Sequence, residues 1–383
     1  MKKLLVLTLV LVLGISVLSL AQGKVGVVLD VGGRGDLSFN DMAFKGTEEA
    51  AAEFGWEMTE LQSATAADYL PNIRNLARTG EYDLIICVGF LLGDALAEAS
   101  AEFPDQKFAI IDVDYITGPN IMNIVFRENE MSALVGALMA MAANEYGYAN
   151  AGIVLGIEIP VLYHFEAGFR FGIDWANQKL GSSIGLQYTY VGSFTDLALG
   201  KVATEAMLSK GAVGVYGVAG SVGIGDLEAI TEAHANAGTT SGAPYFFGVD
   251  ANQDYLDLGM HTLASGMKRV DVAAYTAVAA VANNTFTSGV TSLGLTEGGV
   301  AISKVSDLSE FIEFGIRGGS VDPDDFYTTI ANWATNRATI PAAIWDAVDE
   351  LEAAILNGSI VVPTANSGEE MAAVRAEYTL GSP

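Results

Sequence analysis

The chain has 383 residues, a formal net charge of −27, 51% hydrophobic residues, 3 histidines and a single cysteine. That length accommodates two domains of about 100–200 residues each, and the acidity excludes nucleic acid and anionic membrane headgroups as partners, because both repel such a surface. Cys87 cannot form an internal disulfide alone, and it lies in the apolar run Leu84–Val88, where burial makes a thiol inert.

In chain order, Lys2 and Lys3 precede an uncharged run from Leu4 to Leu20, and Ser19-Leu20-Ala21 places small residues at the −3 and −1 positions. A basic start, an apolar middle and a small-residue end describe a secretory signal over residues 1–21, cleaved after Ala21. The competing reading is a retained anchor, for which the run has the lower limit of spanning length. Gln22, not a cysteine, follows the expected cleavage point, so no lipid anchor is expected and the mature chain is placed in the periplasm or secreted, free of the membrane.

Short apolar runs then recur roughly every thirty residues: Val25–Leu29, Leu84–Val88, Phe108–Ile111, Gly152–Leu155, Leu186–Val191, Val213–Val218 and Tyr245–Val249, with a weaker one at Trp56–Leu61. Segments of helical period, such as Met42–Phe54 and Met131–Ala143, separate them. Strand and helix alternating at this spacing predict βαβ units, hence an α/β fold of two lobes with parallel sheets, four strands in each. The first helix has a readable start, with Ser38 expected as N-cap and Asp41 reaching back in a capping box, and Gly55 as its stop.

Open α/β sheets bind ligands beyond the carboxyl ends of their strands. The first four runs lead to Asp30, Gln62, Gly89 and Asp112, and the second four to Gly156, Gly192-Ser193-Phe194, Ala219-Gly220 and Asp250. Carboxylates, small residues and an aromatic ring suit a neutral, hydroxyl-rich or heterocyclic ligand and do not suit a phosphate. Gly220-Ser221-Val222-Gly223-Ile224-Gly225 has neither dinucleotide nor P-loop spacing and reads as a tight turn. His164, His234 and His261 lack metal-ligand spacing, so no metal and no cofactor is expected. Taken singly, Phe39 and Phe44 read equally as core, and Asp112 as a solvated turn.

The stretch Val25-Gly26-Val27-Val28-Leu29-Asp30-Val31-Gly32-Gly33, followed by Asp36-Leu37-Ser38-Phe39-Asn40, resembles the basic membrane protein (BMP) family, purine nucleoside receptor lipoproteins that serve ABC importers. The resemblance continues through Phe108–Asp112, Ile159-Pro160-Val161, Phe165–Phe169, Tyr190–Phe194, Gly248-Val249-Asp250, Lys268–Val272, Gly298-Gly299-Val300 and Gly358–Thr364. It implies a periplasmic-binding-protein type I fold: two Rossmann-like lobes joined by three crossing segments. These are expected near 123, 250 and 291, giving residues 22–122 and 251–290 to lobe 1 and 123–250 and 291–383 to lobe 2. It further implies that Phe39 and Phe194 sandwich a flat base, that Asp30, Asn40 and Asp112 bond or frame it, and that Gly220 lets backbone approach. Asp250 would accept from ribose hydroxyls and Lys268 would donate to the sugar. The partners implied are a purine nucleoside and an ABC permease. Asp41 stands where the family usually has Gln and Phe44 where it has Trp, so a changed pocket wall is expected.

Three other readings stand beside nucleoside capture. A free sugar or other small ring would suit the same carboxylates and rings. A nucleoside-processing enzyme would need an aspartate cluster or histidine pair that no strand end carries. A surface adhesin or antigen would leave the paired rings unexplained.

Overall fold

Each of the eight apolar runs is a strand in the computed structural model, which describes residues 23–381. The expected signal segment, 1–21, lies outside the described residues. The first lobe opens with β1 (Lys24–Val28), α1 (Phe39–Phe54), β2 (Glu57–Leu61), α2 (Tyr69–Ala77), β3 (Leu84–Val88), α3 (Gly93–Glu102), β4 (Phe108–Ile111) and β5 (Ile121–Phe126). The chain then enters the second lobe: α4 (Glu128–Tyr146), β6 (Asn150–Leu155), α5 (Pro160–Leu180), β7 (Gly185–Tyr190), α6 (Leu197–Ser209), β8 (Ala212–Val218), α7 (Val222–Ala237), β9 (Tyr245–Asp250) and β10 (Thr262–Lys268). It returns to the first lobe for α8 (Val270–Ala282) and β11 (Gly289–Leu293). It ends in the second with β12 (Val300–Ile302), α9 (Val305–Arg317), α10 (Phe326–Arg337), α11 (Ala342–Leu356) and α12 (Gly368–Glu377).

The result is two α/β lobes, each built on a six-stranded sheet, in the orders β11-β5-β4-β3-β1-β2 and β12-β10-β9-β8-β6-β7. All pairings are parallel except that β12 runs antiparallel to β10. β3, β4, β6, β8, β9 and β10 are buried along their whole length, because helices cover both faces of a parallel sheet. That is why all of these segments except β10 read as continuous apolar runs rather than as alternating ones.

Four strands exceed the expected four per sheet: β5, β10, β11 and β12. β10 also moves a boundary. The second crossing, expected near 250, lies at Arg269, because β10 pairs in parallel with β9 and stays in the second sheet. Only after Lys268 does the chain leave, and α8 then packs on α1 of the first lobe. The first crossing lies at Arg127 and the third between Leu293 and Val300. The three passages are bonded to one another: Arg127 N donates to Leu293 O at 2.9 Å and Arg269 N donates to Gly299 O at 2.8 Å. Arg127 also pairs with Glu297.

The start of α1 differs from its sequence signature. Ser38 is the N-cap residue, but its side chain makes no cap bond. Instead the Asp36 carboxylate accepts from the backbone N–H groups of Ser38 (3.0 Å), Asn40 (2.8 Å) and Asp41 (3.1 Å). Asp41 turns the other way, accepting from Gly35 N, Leu37 N and Arg34 Nε. A carboxylate two residues upstream outcompetes the serine hydroxyl, which is drawn to the opposite lobe. Gly55 does stop the helix, in the left-handed conformation at φ 66°.

Candidate functional site

Where the two sheets point their carboxyl ends at each other, a cavity lies between the lobes. Counting its open mouth, it holds about 620 Å³ free of protein atoms. All eight residues singled out in the sequence, Asp30, Phe39, Asn40, Asp112, Phe194, Gly220, Asp250 and Lys268, line it. The turns that put them there are left-handed: Gly89 (φ 108°) after β3, Asp112 (φ 71°) after β4, Gly220 (φ 58°) after β8 and Asp250 (φ 62°) at the end of β9. Glycine takes this conformation freely and aspartate more readily than most side chains, so residue type and backbone shape agree at each strand end.

The two rings expected to sandwich a base come from different lobes. Phe39 opens α1, and a Cβ on Gly89 would stand 3.3 Å from its Cε1. Phe194 follows β7, and a Cβ on Gly156 would stand 2.1 Å from its Cε1. Each ring therefore lies on a strand-end glycine of its own lobe; a side chain at Gly156 would displace Phe194, whereas one at Gly89 would ask Phe39 to yield by only a few tenths of an ångström.

The polar wall is rich in acceptors. Asp30 Oδ1 accepts from Asn40 Nδ2 and from Gly32 N, both at 2.8 Å. Burial raises the Asp30 carboxyl above the usual carboxylate range, and these two donors offset part of the rise. Burial also pushes Asp36 up to about 7, with the charge of Asp41 adding to it. Asp250 is raised chiefly by burial, against which Lys268 and the hydroxyl of Ser38 act. Ser38 Oγ reaches across the cleft to donate to Asp250 Oδ2 at 2.5 Å.

Lys268 is the one cation in the cavity wall. Its Nζ lies 2.6 Å from Asp112 Oδ2 and 3.0 Å from Glu128 Oε1, and 5.1 Å from the centroid of the Phe39 ring. Burial alone would lower it, but Asp112, Glu128 and Asp250 together hold the ammonium above the ordinary lysine range. Asp112 is lifted to about 6 by burial, with Lys268 opposing. Glu128, despite burial, is kept below its ordinary value by Lys268 and His164. His164 Nδ1 lies 2.8 Å from Glu128 Oε2. The chain of contacts runs from the cavity, through Lys268 and Glu128, to His164 in an adjoining cavity.

Sequence reasoning did not single out Asp36, Glu128, Phe90, Leu91, Leu162 or Phe165, although all but Glu128 line the cavity. Asp36 carried a signal in its position two residues before a helix N-cap. Glu128 carried none, since it meets Lys268 only through tertiary packing. The two departures from the family pattern lie elsewhere: Asp41 and Phe44 line a crevice between α1 and α9 rather than the central cavity, and the Arg34 guanidinium covers the Phe44 ring at 3.5 Å. The expected change to the pocket wall is therefore absent from the cavity itself. None of the three histidines lines it, and no group of His, Cys, Asp and Glu suited to a metal ion occurs among the described residues. Among those residues no helix is long and apolar enough to cross a membrane. Cys87 is buried in β3, which pushes its thiol up.

Comparison with known proteins gives the arrangement its context. An uncharacterized lipoprotein of Pyrococcus furiosus is 36% identical over 365 residues, 94% of this chain and 90% of that one. A Lactococcus lactis protein named as an ABC transporter nucleoside-binding protein is 32% identical over 239 residues, covering 61% of this chain and 65% of its own. Among solved structures, one described as an ABC transporter system solute-binding protein from Aeropyrum pernix superposes with a TM-score of 0.85 at 34% identity, covering 93% of this chain and 97% of that one. The Bmp family, described as ABC transporter substrate-binding protein PnrA-like, matches residues 24–314. With the type I two-lobed fold and a strand-end cleft between the lobes, the chain belongs to the Bmp family of ABC transporter substrate-binding proteins.

Proposed function

We propose that the protein captures a purine nucleoside between its closing lobes, outside the cytoplasm, and presents the closed complex to an ABC permease without altering the cargo. The observation that carries this reading is the single cavity in which one ring from each lobe, Phe39 and Phe194, meets the carboxylates of Asp30, Asp112 and Asp250 and the ammonium of Lys268. A carboxylate offers two acceptor oxygens to a vicinal diol, and each charge-assisted bond contributes about 1.5–3 kcal/mol. Base stacking on an aromatic ring adds about 1–3 kcal/mol. Because the rings belong to different lobes, a base stacked on both favours closure, as a population shift requires. The acid-rich wall disfavours phosphorylated ligands. The nucleoside-binding name of the Lactococcus relative supports the same class of cargo.

A thermal-shift and calorimetric screen of inosine, guanosine and adenosine against ribose and glucose tests the proposal. A true ligand at 100 times its Kd adds about 2.7 kcal/mol of stability, so nucleosides should raise the melting point and the sugars should not. A shift with ribose or glucose alone would move the assignment to sugar capture. Recovery of free base after incubation with inosine would make the protein an enzyme instead.

A further inference from the structure

The Asn40 side chain is held on one side only. Its Nδ2 donates to Asp30 Oδ1 at 2.8 Å and to Asp36 Oδ2 at 3.1 Å, which uses both donors that an amide NH2 carries. Turning the amide over would set its oxygen against two carboxyl oxygens that already accept from Gly32 N and Asn40 N, so the hydrogen-bond pattern fixes its orientation. Asn40 Oδ1 is buried without a partner, in a residue only 2% exposed that lines the cavity. A buried carbonyl oxygen left unpaired is costly, and a donor on a molecule bound in the cavity can satisfy it.

Asp36 makes this orientation durable. Its Oδ1 accepts from Ser38 N and Asp41 N, and its Oδ2 from Asn40 N as well as from the Asn40 amide. The carboxylate is thus clamped in the first turn of α1 and cannot swing away to release Asn40. We propose that Asp36 is a positioning residue which, together with Asp30, locks the Asn40 amide with its oxygen toward the ligand, so that the site selects a nucleobase that donates a hydrogen bond. The proposal rests on the nucleoside reading of the cleft and adds to it a rule for which bases are accepted.

The test uses three nucleosides of nearly equal size: inosine and adenosine, whose bases carry N–H donors, and purine riboside, whose base carries none. Calorimetry on the wild-type protein should show purine riboside binding at least about tenfold more weakly than the better of the other two. In Asp36→Asn and Asp36→Ser the gap should narrow to under about threefold, because the Asn40 amide is no longer locked. Both replacements retain a side chain suited to the start of a helix, and circular dichroism reports whether α1 and the fold persist. A purely structural role for Asp36 would weaken all three ligands alike and leave their ratio untouched. Parity of the three ligands in the wild type, or an unchanged gap in both folded variants, overturns the lock while leaving nucleoside capture standing. Failure of all three to bind the wild type overturns the nucleoside reading and the lock with it.

Discussion

The carboxyl of Asp226, on α7, is fully buried; Thr204 Oγ1 donates to its Oδ1 at 2.8 Å, and its Oδ2 has no partner. Burial pushes this group up to about 8, with only the threonine opposing. A carboxyl raised in the fold above its unfolded value of 3.8 contributes stability that is complete below about pH 4 and is lost as pH rises through about 8. Asp226→Asn should therefore gain stability relative to wild type across that window, by a few kcal/mol at most, as read from urea unfolding at pH 5 and pH 8.5. An equal offset at both pH values would mean that Asp226 stays charged in the fold. The aspartates of the cleft differ in their surroundings: Asp30 accepts from Gly32 N and Asn40 Nδ2, and Asp112 lies against the Lys268 ammonium. Those residues were legible in the sequence because a parallel strand delivers its last residue to the cleft between the lobes, so a strand end is a position as well as a boundary. Asp36 and Glu128 were not, since their partners come from a helix turn and from a separate crossing, and neither proximity leaves a periodic trace.

The helices α4 and α5 approach backbone to backbone. A Cβ on Gly168 would stand 2.2 Å from Asn129 O, one on Gly172 2.1 Å from Ala133 O, and one on Gly136 2.4 Å from Phe169 O. Every residue of α4 from Met131 to Ala143 is buried, so this pair forms the floor on which the second sheet lies. Backbone cannot yield as a side chain can, and Gly168→Val should destabilise the protein by about 3 kcal/mol or more, at the upper end for overpacking. A urea midpoint within error of wild type would show that the helices can separate at little cost. The elements legible in advance were those whose burial on both faces made them apolar throughout. β10, Thr262–Lys268, escaped notice because its buried sequence, TLASGMK, is rich in small and polar residues, with Ser265 bonded to the Asp254 carboxylate. β11 escaped for the opposite reason, since it is an edge strand with an exposed, polar face. Missing β10 moved the middle crossing by one strand, which is how an error in one element became an error in lobe assignment.

At the scale of the whole molecule the lobes are shut. Ser38 Oγ donates to Asp250, Gln253 Nε2 donates to Leu37 O at 2.9 Å, and Lys45 pairs with Glu310 at 2.8 Å, all between the two halves. The buried Lys268–Asp112 ion pair also joins the halves, and on the nucleoside reading a bound base would add to this bias. Solution scattering should show wild-type protein becoming more compact on addition of a nucleoside, and Phe194→Ala becoming less so, since one half of the stack is gone. An identical compaction in the variant would remove the ring from the closing mechanism. The backbone bonds that join Arg127 to Leu293 and Arg269 to Gly299, with the Glu128–Lys268 ion pair beside them, add a mechanical consequence. Three separate cords would let the halves twist, slide and gape independently. Laced side by side, they act like the spine of a book, and occupancy is converted into a single angle that a transporter can gauge from the covers.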